Sequence, residues 1–355
     1  MKRSKRIAAL VLSLIMSLSI LTGCGGKQEE KTPAANTPAA EGTVAAKPGE
    51  GEVYCFIANA HGIEFFNAAK AGVYAASSEL GATWFVGGAS ESGAPSSEIS
   101  DAIEQAIAMG ATGIILHGQY DDTADAITTA MEAGVPVINI DTDIGTDRLS
   151  FIGTSPEQLG VYMAHDAAEV LGGKGEVIIS GDTTQPSNNR TVDKIKEIFA
   201  TEYPDIKIVS ELHDKCQSQQ AAAVVGAALQ ANPNAALVIG TQAPTGVGAA
   251  AAIREAGLED QVKVICRDRD QATLDAIKNG EIESTWVQTS FIQAYTATMW
   301  LHQYVNDKLA LVPGYRELGL NPLPAFAEAS MVRVDASNVD DFLGATYTFE
   351  VTAKN

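Results

Sequence analysis

Cysteine is scarce: the chain carries 4 in 355 residues. None is in a C-x-x-C spacing, which argues against a disulfide framework and against a tetrahedral zinc site. The five histidines, at 61, 117, 165, 213 and 302, make no H-E-x-x-H, and no G-x-S-x-G elbow occurs, so zincin and serine-hydrolase chemistry lack their parts. Basic residues are few as well. Lys and Arg total 24 against 44 Asp and Glu, a formal charge of −20, which suits neither nucleic acid nor an anionic lipid surface as a partner. Aromatics are only 6% of the chain. What is abundant is Gly and Ala, with 46% apolar residues apart from Gly, a mix typical of tightly packed α/β layers. The length is enough for about two domains.

The amino terminus reads as a targeting segment. A basic "MKRSKR" precedes the apolar "IAALVLSLIMSLSIL", shorter than the roughly 20 residues a spanning helix needs. The "LTGC" that follows resembles the lipobox of bacterial lipoproteins. That resemblance implies cleavage of residues 1–23, lipidation of Cys24, and anchoring of an extracytoplasmic protein to the cell membrane. Cleavage removes Lys2, Arg3, Lys5, Arg6 and no acid, so −20 becomes −24. Residues 24–50, rich in Ala, Pro, Gly, Thr and charge, read as a flexible tether.

From Gly51 onward short apolar runs alternate with amphipathic stretches. The runs predict strands at 52–58, 82–87, 112–117, 135–140, 149–153, 175–180, 206–212, 235–240, 262–266 and 282–288. Stretches such as "SSEISDAIEQAIAMG" and "ATLDAIKNG" predict the helices between them, with Ser or Thr at the start and Gly at the end. Strand starts about 21 to 31 residues apart fit β-α units, and near-continuous apolar strands fit parallel sheets covered on both faces. Ten strands are many for one sheet. The run "DTDIGTDRLSFIGTSPEQLG" has a strand with no preceding helix, which puts a crossover near Thr154, and a second break follows Gln288.

In such sheets ligands meet the carboxyl ends of the strands. Those ends carry Asn59 and His61, with Phe65 and Phe66 at the next helix start; Asp141, Thr142 and Asp143; the loop "GDTTQPSNNR" with Arg190; Thr241 and Gln242; Arg267, Asp268 and Arg269; and Gln288. Carboxylates, amides and guanidinium groups offer fixed partners to hydroxyls, and aromatic faces pack on C–H surfaces, so the set suits a small polyhydroxylated ligand. Other roles stay open for several of them. Phe65 and Phe66 could be core, Asp143 could form the turn, Arg267 and Arg269 could only frame Asp268, and Trp286 could pack in the core as readily as share a face with Gln288.

Five segments, "EFFNAAKAG", "GATGIIL", "AGVPVINID", "NPNAALVIG" and "VKVICRDRDQATLDAIKNGEIESTWVQ", in this order and spacing, resemble the type I periplasmic binding proteins of sugar importers, in the ribose, rhamnose and autoinducer-binding branch. The resemblance spans nearly all of residues 51–335. It implies two Rossmann-like (flavodoxin-like) parallel-sheet α/β domains joined by a multi-strand hinge, one formed by 51–154 plus 289–323 and the other by 155–288 plus 324–355. It further implies a monomer that captures a small carbohydrate or polyol and delivers it to an ABC permease, with no cofactor and no metal. Asp141, Asp268 and Gln288 fall where the family contacts sugar hydroxyls, Phe65 and Phe66 match its ring-packing pair, Arg190 its cleft arginine, and Gln242 the position of an Asn. Thr142 stands where ribose binders have Arg, and "D-T-D" is similar to the "D-S-D" of the rhamnose and autoinducer branch, so ribose itself is disfavoured.

Two alternatives accompany this reading. The same fold could report a ligand to a chemoreceptor or sensor kinase. Asp141-x-Asp143 could also serve a metal-dependent phosphatase, although Ile144 interrupts the usual "D-x-D-G-T" and the pair follows the fourth strand. "GVGAAA" at Gly246–Ala251 is a weak dinucleotide signal; five residues separate it from the preceding strand, so its glycines more readily serve close helix packing.

Overall fold

The computed structural model describes residues 46–353 except 92, 93, 146, 310 and 346. The expected leader, Cys24 and most of the tether lie outside the described residues. The first sheet is built from β1 (Val53–Ile57), β2 (Thr83–Gly87), β3 (Gly113–Leu116), β4 (Val137–Ile140) and β5 (Ser150–Gly153). Interleaved with them are α1 (Asn67–Leu80), α2 (Ser97–Ala108) and α3 (Ala124–Glu132). After α4 (Pro156–Leu171) the pattern repeats: β6 (Gly175–Gly181), α5 (Pro186–Thr201), β7 (Ile206–His213), α6 (Ser218–Ala231), β8 (Ala235–Gly240), α7 (Ala243–Ala256), β9 (Lys263–Arg267), α8 (Gln271–Lys278) and β10 (Ser284–Gln288). The chain ends with α9 (Ser290–Val305), β11 (Phe326–Glu328), β12 (Met331–Asp335) and α10 (Val339–Leu343).

Both sheets have six strands, in the orders β2-β1-β3-β4-β5-β11 and β7-β6-β8-β9-β10-β12. All neighbours are parallel except β10 with β12. The ten expected strands are all present, within three residues at each end. The two that periodicity misses, β11 and β12, are short; β11 is mostly exposed, and β12, which buries only Met331 and Val334, pairs antiparallel with β10.

Alternation within a strand explains the layers. In β3, Ile115 packs on the side of α1 and α9, with Val73, Ala294 and Leu301, whereas Ile114 and Leu116 pack on the side of α2 and α3, with Ile103 and Ile127. In β8, Val238 joins Val225 and Ile253 of α6 and α7, whereas Leu237 and Ile239 join Met163 and Ile195 of α4 and α5. All six of these strand residues are fully buried, and each aliphatic side chain so placed contributes about 1.5–3 kcal/mol. Gly246 and Gly248 lie inside α7, as expected of packing glycines: a Cβ on Gly248 would meet the Ser218 carbonyl at 2.3 Å, and one on Gly246 the Cys266 Sγ at 2.6 Å. Two of the helix starts depart from expectation. Ser96 does not cap α2 but donates to Asp122, while Asp270, not a Ser or Thr, caps α8 through Thr273 N–H at 2.8 Å.

The chain passes between the sheets at three adjacent places: after β5, after β10, and between β11 and β12. They are tied together by Ala329 N–H to Gly153 O (2.7 Å), Thr154 Oγ1–H to Ala329 O (2.6 Å) and Thr289 Oγ1–H to Ser330 O (2.9 Å). Residues 324–355 do not all stay with the second sheet, as the sequence suggested. β11 pairs with β5 of the first sheet, and beyond α10 the chain returns to the first sheet's edge, where Ala353 N–H donates to Trp84 O and Trp84 Nε1–H to Glu350 O. That edge offers unpaired backbone groups, and the tail satisfies them.

Candidate functional site

The strand orders make β4 and β9 equivalent, each fourth from the free edge. Asp141 and Asp268 are the residues directly after them. The backbones match: Asp141 N–H donates to Ile152 O of β5 (3.1 Å), and Asp268 N–H to Trp286 O of β10 (2.9 Å). Both take the left-handed conformation, φ 65° and 74°, which Asp tolerates better than most residues. Cys216, at φ 54°, does so too, and such backbone strain gathers at ligand sites.

All three line a cleft of 480 Å³ at the carboxyl ends of both sheets, with the three crossings along its wall. Of the residues expected from sequence, Asp141, Asp143, Arg190, Gln242, Arg267, Asp268 and Gln288 line it; Asn59, His61, Phe65 and Phe66 do not. Asn59 is drawn to Tyr120 Oη (3.3 Å). His61 has its carbonyl held by the buried Lys70 (2.7 Å), and burial and that ammonium lower the pKa of its imidazole. Phe66 is 4% exposed and belongs to the core, packing edge-on to the His117 ring at 5.0 Å, whereas Phe65 is 40% exposed beside it.

Asp141 and Asp143 do not act as a pair. Asp143 accepts from Arg148 Nε (2.7 Å) and Nη2 (2.5 Å) and from Asn139 Nδ2 (3.1 Å), so it ties down its own loop. Burial opposes its ionisation, but these bonds hold its carboxyl below the ordinary value. Among the described residues the Asp141 carboxylate meets only His117, whose Nε2 is 3.1 Å from Oδ2. Asp268 has Arg267 Nε 3.2 Å from its Oδ2, an ion pair by distance without the angle of a hydrogen bond. Burial raises the Asp268 carboxyl, Arg267 counteracts, and the charge of Asp141 adds to the rise, so the two carboxylates feel each other across the cleft.

Four polar atoms of lining residues are buried with no hydrogen-bond partner among the described residues: Asp141 Oδ1, Thr142 Oγ1, Arg267 Nε and Gln288 Oε1. A buried polar group left so costs about 1–3 kcal/mol, and four in one cleft are unused binding capacity. Gln242 is partly committed, accepting from Asp182 N–H (2.9 Å) and donating to Gln185 (3.1 Å). Arg190 is exposed, with Glu157 at 3.5 Å. Sequence reasoning passed over Gln119, Phe151 and Met331, which also line the cleft, as does Gln185 of the loop "GDTTQPSNNR". Phe151 had a signal, its place on β5 beside the crossover, where it stacks on Phe326 at 5.2 Å. Met331 sits on an unforeseen strand and had none. Trp286 is partly buried and packs against the core: it stacks on Tyr162 at 4.8 Å and donates to Asp166.

Two equivalent α/β lobes, three crossings and a polar cleft facing both sets of strand ends define a two-lobed solute-binding protein. A family model for the periplasmic binding protein domain matches residues 53–309, and the chain belongs to that family. The D-apiose import binding protein of Actinobacillus succinogenes is 27% identical over 254 residues, 70% of this chain and 81% of that protein. The D-ribose/D-allose-binding protein of Pseudomonas aeruginosa is 27% identical over 202 residues, 54% and 62% of the two. Among solved structures, a sugar-binding protein of a sugar ABC transporter from Bacillus halodurans matches with a TM-score of 0.77 and 26% identity, over 82% of this chain and 99% of that one. The arabinose-binding protein AraP of Geobacillus stearothermophilus matches with 0.76 and 26%, over 82% and 99%.

Proposed function

We propose that this protein is an extracytoplasmic lipoprotein, anchored through Cys24, that captures a small neutral sugar or polyol between its lobes and hands it to an ABC permease. The observation that carries the reading is the pair of equivalent carboxylates, Asp141 and Asp268, meeting at one cleft whose lining keeps unpaired buried polar atoms. Ligand hydroxyls donate to the carboxylates and to Gln288 Oε1, and accept from Arg267. Lining carboxylates outnumber lining guanidinium groups, which disfavours a phosphorylated ligand. Relatives named for apiose, ribose or allose, and arabinose support a monosaccharide-sized solute.

No bond is made or broken. Ligand contacts to both lobes favour the closed form over the open one, and uptake shifts that equilibrium by the difference in affinity. The test is a melting scan of purified protein against pentoses, hexoses, polyols and autoinducer analogues. Ligand at 100 times its Kd stabilises the native state by about 2.7 kcal/mol, a readily measured shift. Pentoses or polyols other than ribose are expected to respond, and silence across the panel would reject the reading.

A further inference from the structure

Asp141 and Asp268 end equivalent strands yet are braced by different chemistry. Asp268 has the Arg267 guanidinium at 3.2 Å; Asp141 has an imidazole, His117 Nε2, at 3.1 Å. His117 is the residue directly after β3, is 8% exposed, has its ring edge-on to Phe66, and donates its backbone N–H to the Ile57 carbonyl (2.9 Å). Its Nδ1 is buried and has no partner among the described residues. A ring with one nitrogen against a carboxylate and the other unpartnered carries its proton on the carboxylate side. Thr241, the equivalent residue after β8, plays another part, its hydroxyl lying 2.6 Å from Asn188 Oδ1 and 3.0 Å from the Ser180 carbonyl.

The torsion that turns a carboxylate about its Cβ–Cγ bond is soft and broad, so backbone and rotamer alone leave the plane of the Asp141 carboxylate undetermined. We propose that His117 is the positioning residue of solute capture: its Nε2–H engages Oδ2, fixes that plane, and leaves the buried, unpaired Oδ1 as the acceptor for a ligand hydroxyl. Phe66 serves the site from the core, by holding the imidazole ring in place. The inference rests on the reading of the cleft as a solute site.

The test joins a spectrum to a titration. In the free protein at neutral pH, long-range ¹H–¹⁵N correlations are expected to show His117 as the Nε2–H tautomer; the Nδ1–H tautomer would overturn the assignment. The titration uses the sugar that gives the wild type its largest melting shift. His117→Leu, which removes the donor, weakens binding by roughly tenfold or more. His117→Gln, which places an N–H near the position of Nε2, keeps most of the affinity. A leucine variant that binds as the wild type does, or a glutamine variant as weak as the leucine one, overturns the proposal. If the leucine variant does not fold, the tautomer and the glutamine variant decide. A wild type that answers no sugar fails the cleft reading itself, whereas a responding wild type with an unaffected leucine variant fails this inference alone.

Discussion

Asp141→Asn probes the cleft where its geometry is best defined. Asn tolerates the left-handed backbone at φ 65°, and its amide oxygen can still accept from His117, so the fold and the brace persist. What is lost is a charged acceptor: the amide presents an NH₂ donor where the carboxylate presented Oδ1. A hydrogen bond to a charged group is worth about 1.5–3 kcal/mol, and each 1.4 kcal/mol is tenfold, so the Kd for the responding sugar should rise by roughly 10- to 150-fold. Calorimetric titration of wild type, Asp141→Asn and Asp268→Asn measures this, with unliganded melting temperatures as the folding control. The charge of Asp141 also adds to the raised pKa of Asp268, which gives a second readout. A raised carboxyl favours the protonated free protein: it adds stability at pH below the ordinary 3.8, and that contribution is lost as pH rises through the raised value. A ligand that needs the ionised form opposes this, so wild-type affinity falls as pH drops through the raised value. In Asp141→Asn that acid limb moves to lower pH. Both Asn variants binding like the wild type, with the acid limb unmoved, would refute the assignment of these carboxylates as acceptors.

Three further outcomes follow from the packing. Asp143→Asn should cost about 1.5–3 kcal/mol of stability by loosening its bonds to Arg148 and Asn139, with a smaller effect on affinity than Asp141→Asn. Because the pKa of Asp143 is depressed, its contribution is present at pH above 3.8 and is lost as pH falls through the depressed value, so melting curves of variant and wild type should converge in acid. Phe66→Ala should destabilise by about 3–5 kcal/mol as a core truncation, while Phe65→Ala, at 40% exposure, should leave the melting temperature of the free protein nearly unchanged; equal losses would contradict the different burial of the two rings. Ending the chain at Gly344 removes the segment that accepts from Trp84 Nε1 and covers the β2 edge, so the truncated protein should melt lower and self-associate, as read by light scattering. Unchanged melting and a monodisperse truncated protein would show that the tail is dispensable.

Local pattern carried most of the fold. Apolar runs of five to seven residues, interrupted by amphipathic helices, located ten strands, because burial on both faces leaves its mark along a strand such as β3 or β8. The rule that ligands meet carboxyl ends then selected Asp141, Gln242, Arg267, Asp268 and Gln288, all of which line the cleft. Tertiary structure decided which of the remaining polar residues were free to do so. Asp143 and Asp141 look alike in "DTD", but Arg148 five residues on claims one and His117, from a neighbouring strand, braces the other. Asn59 and His61 stand at a strand end as good as any, yet the Asn59 amide turns to Tyr120 and neither residue lines the cleft. β11, β12 and the tail over Trp84 are too short to stand out as apolar runs, and backbone hydrogen bonds to strands distant in sequence place them. Periodicity records what a residue does relative to its own element. Convergence of separate strand ends on one cleft depends on contacts between residues far apart in sequence, and only the folded chain supplies them.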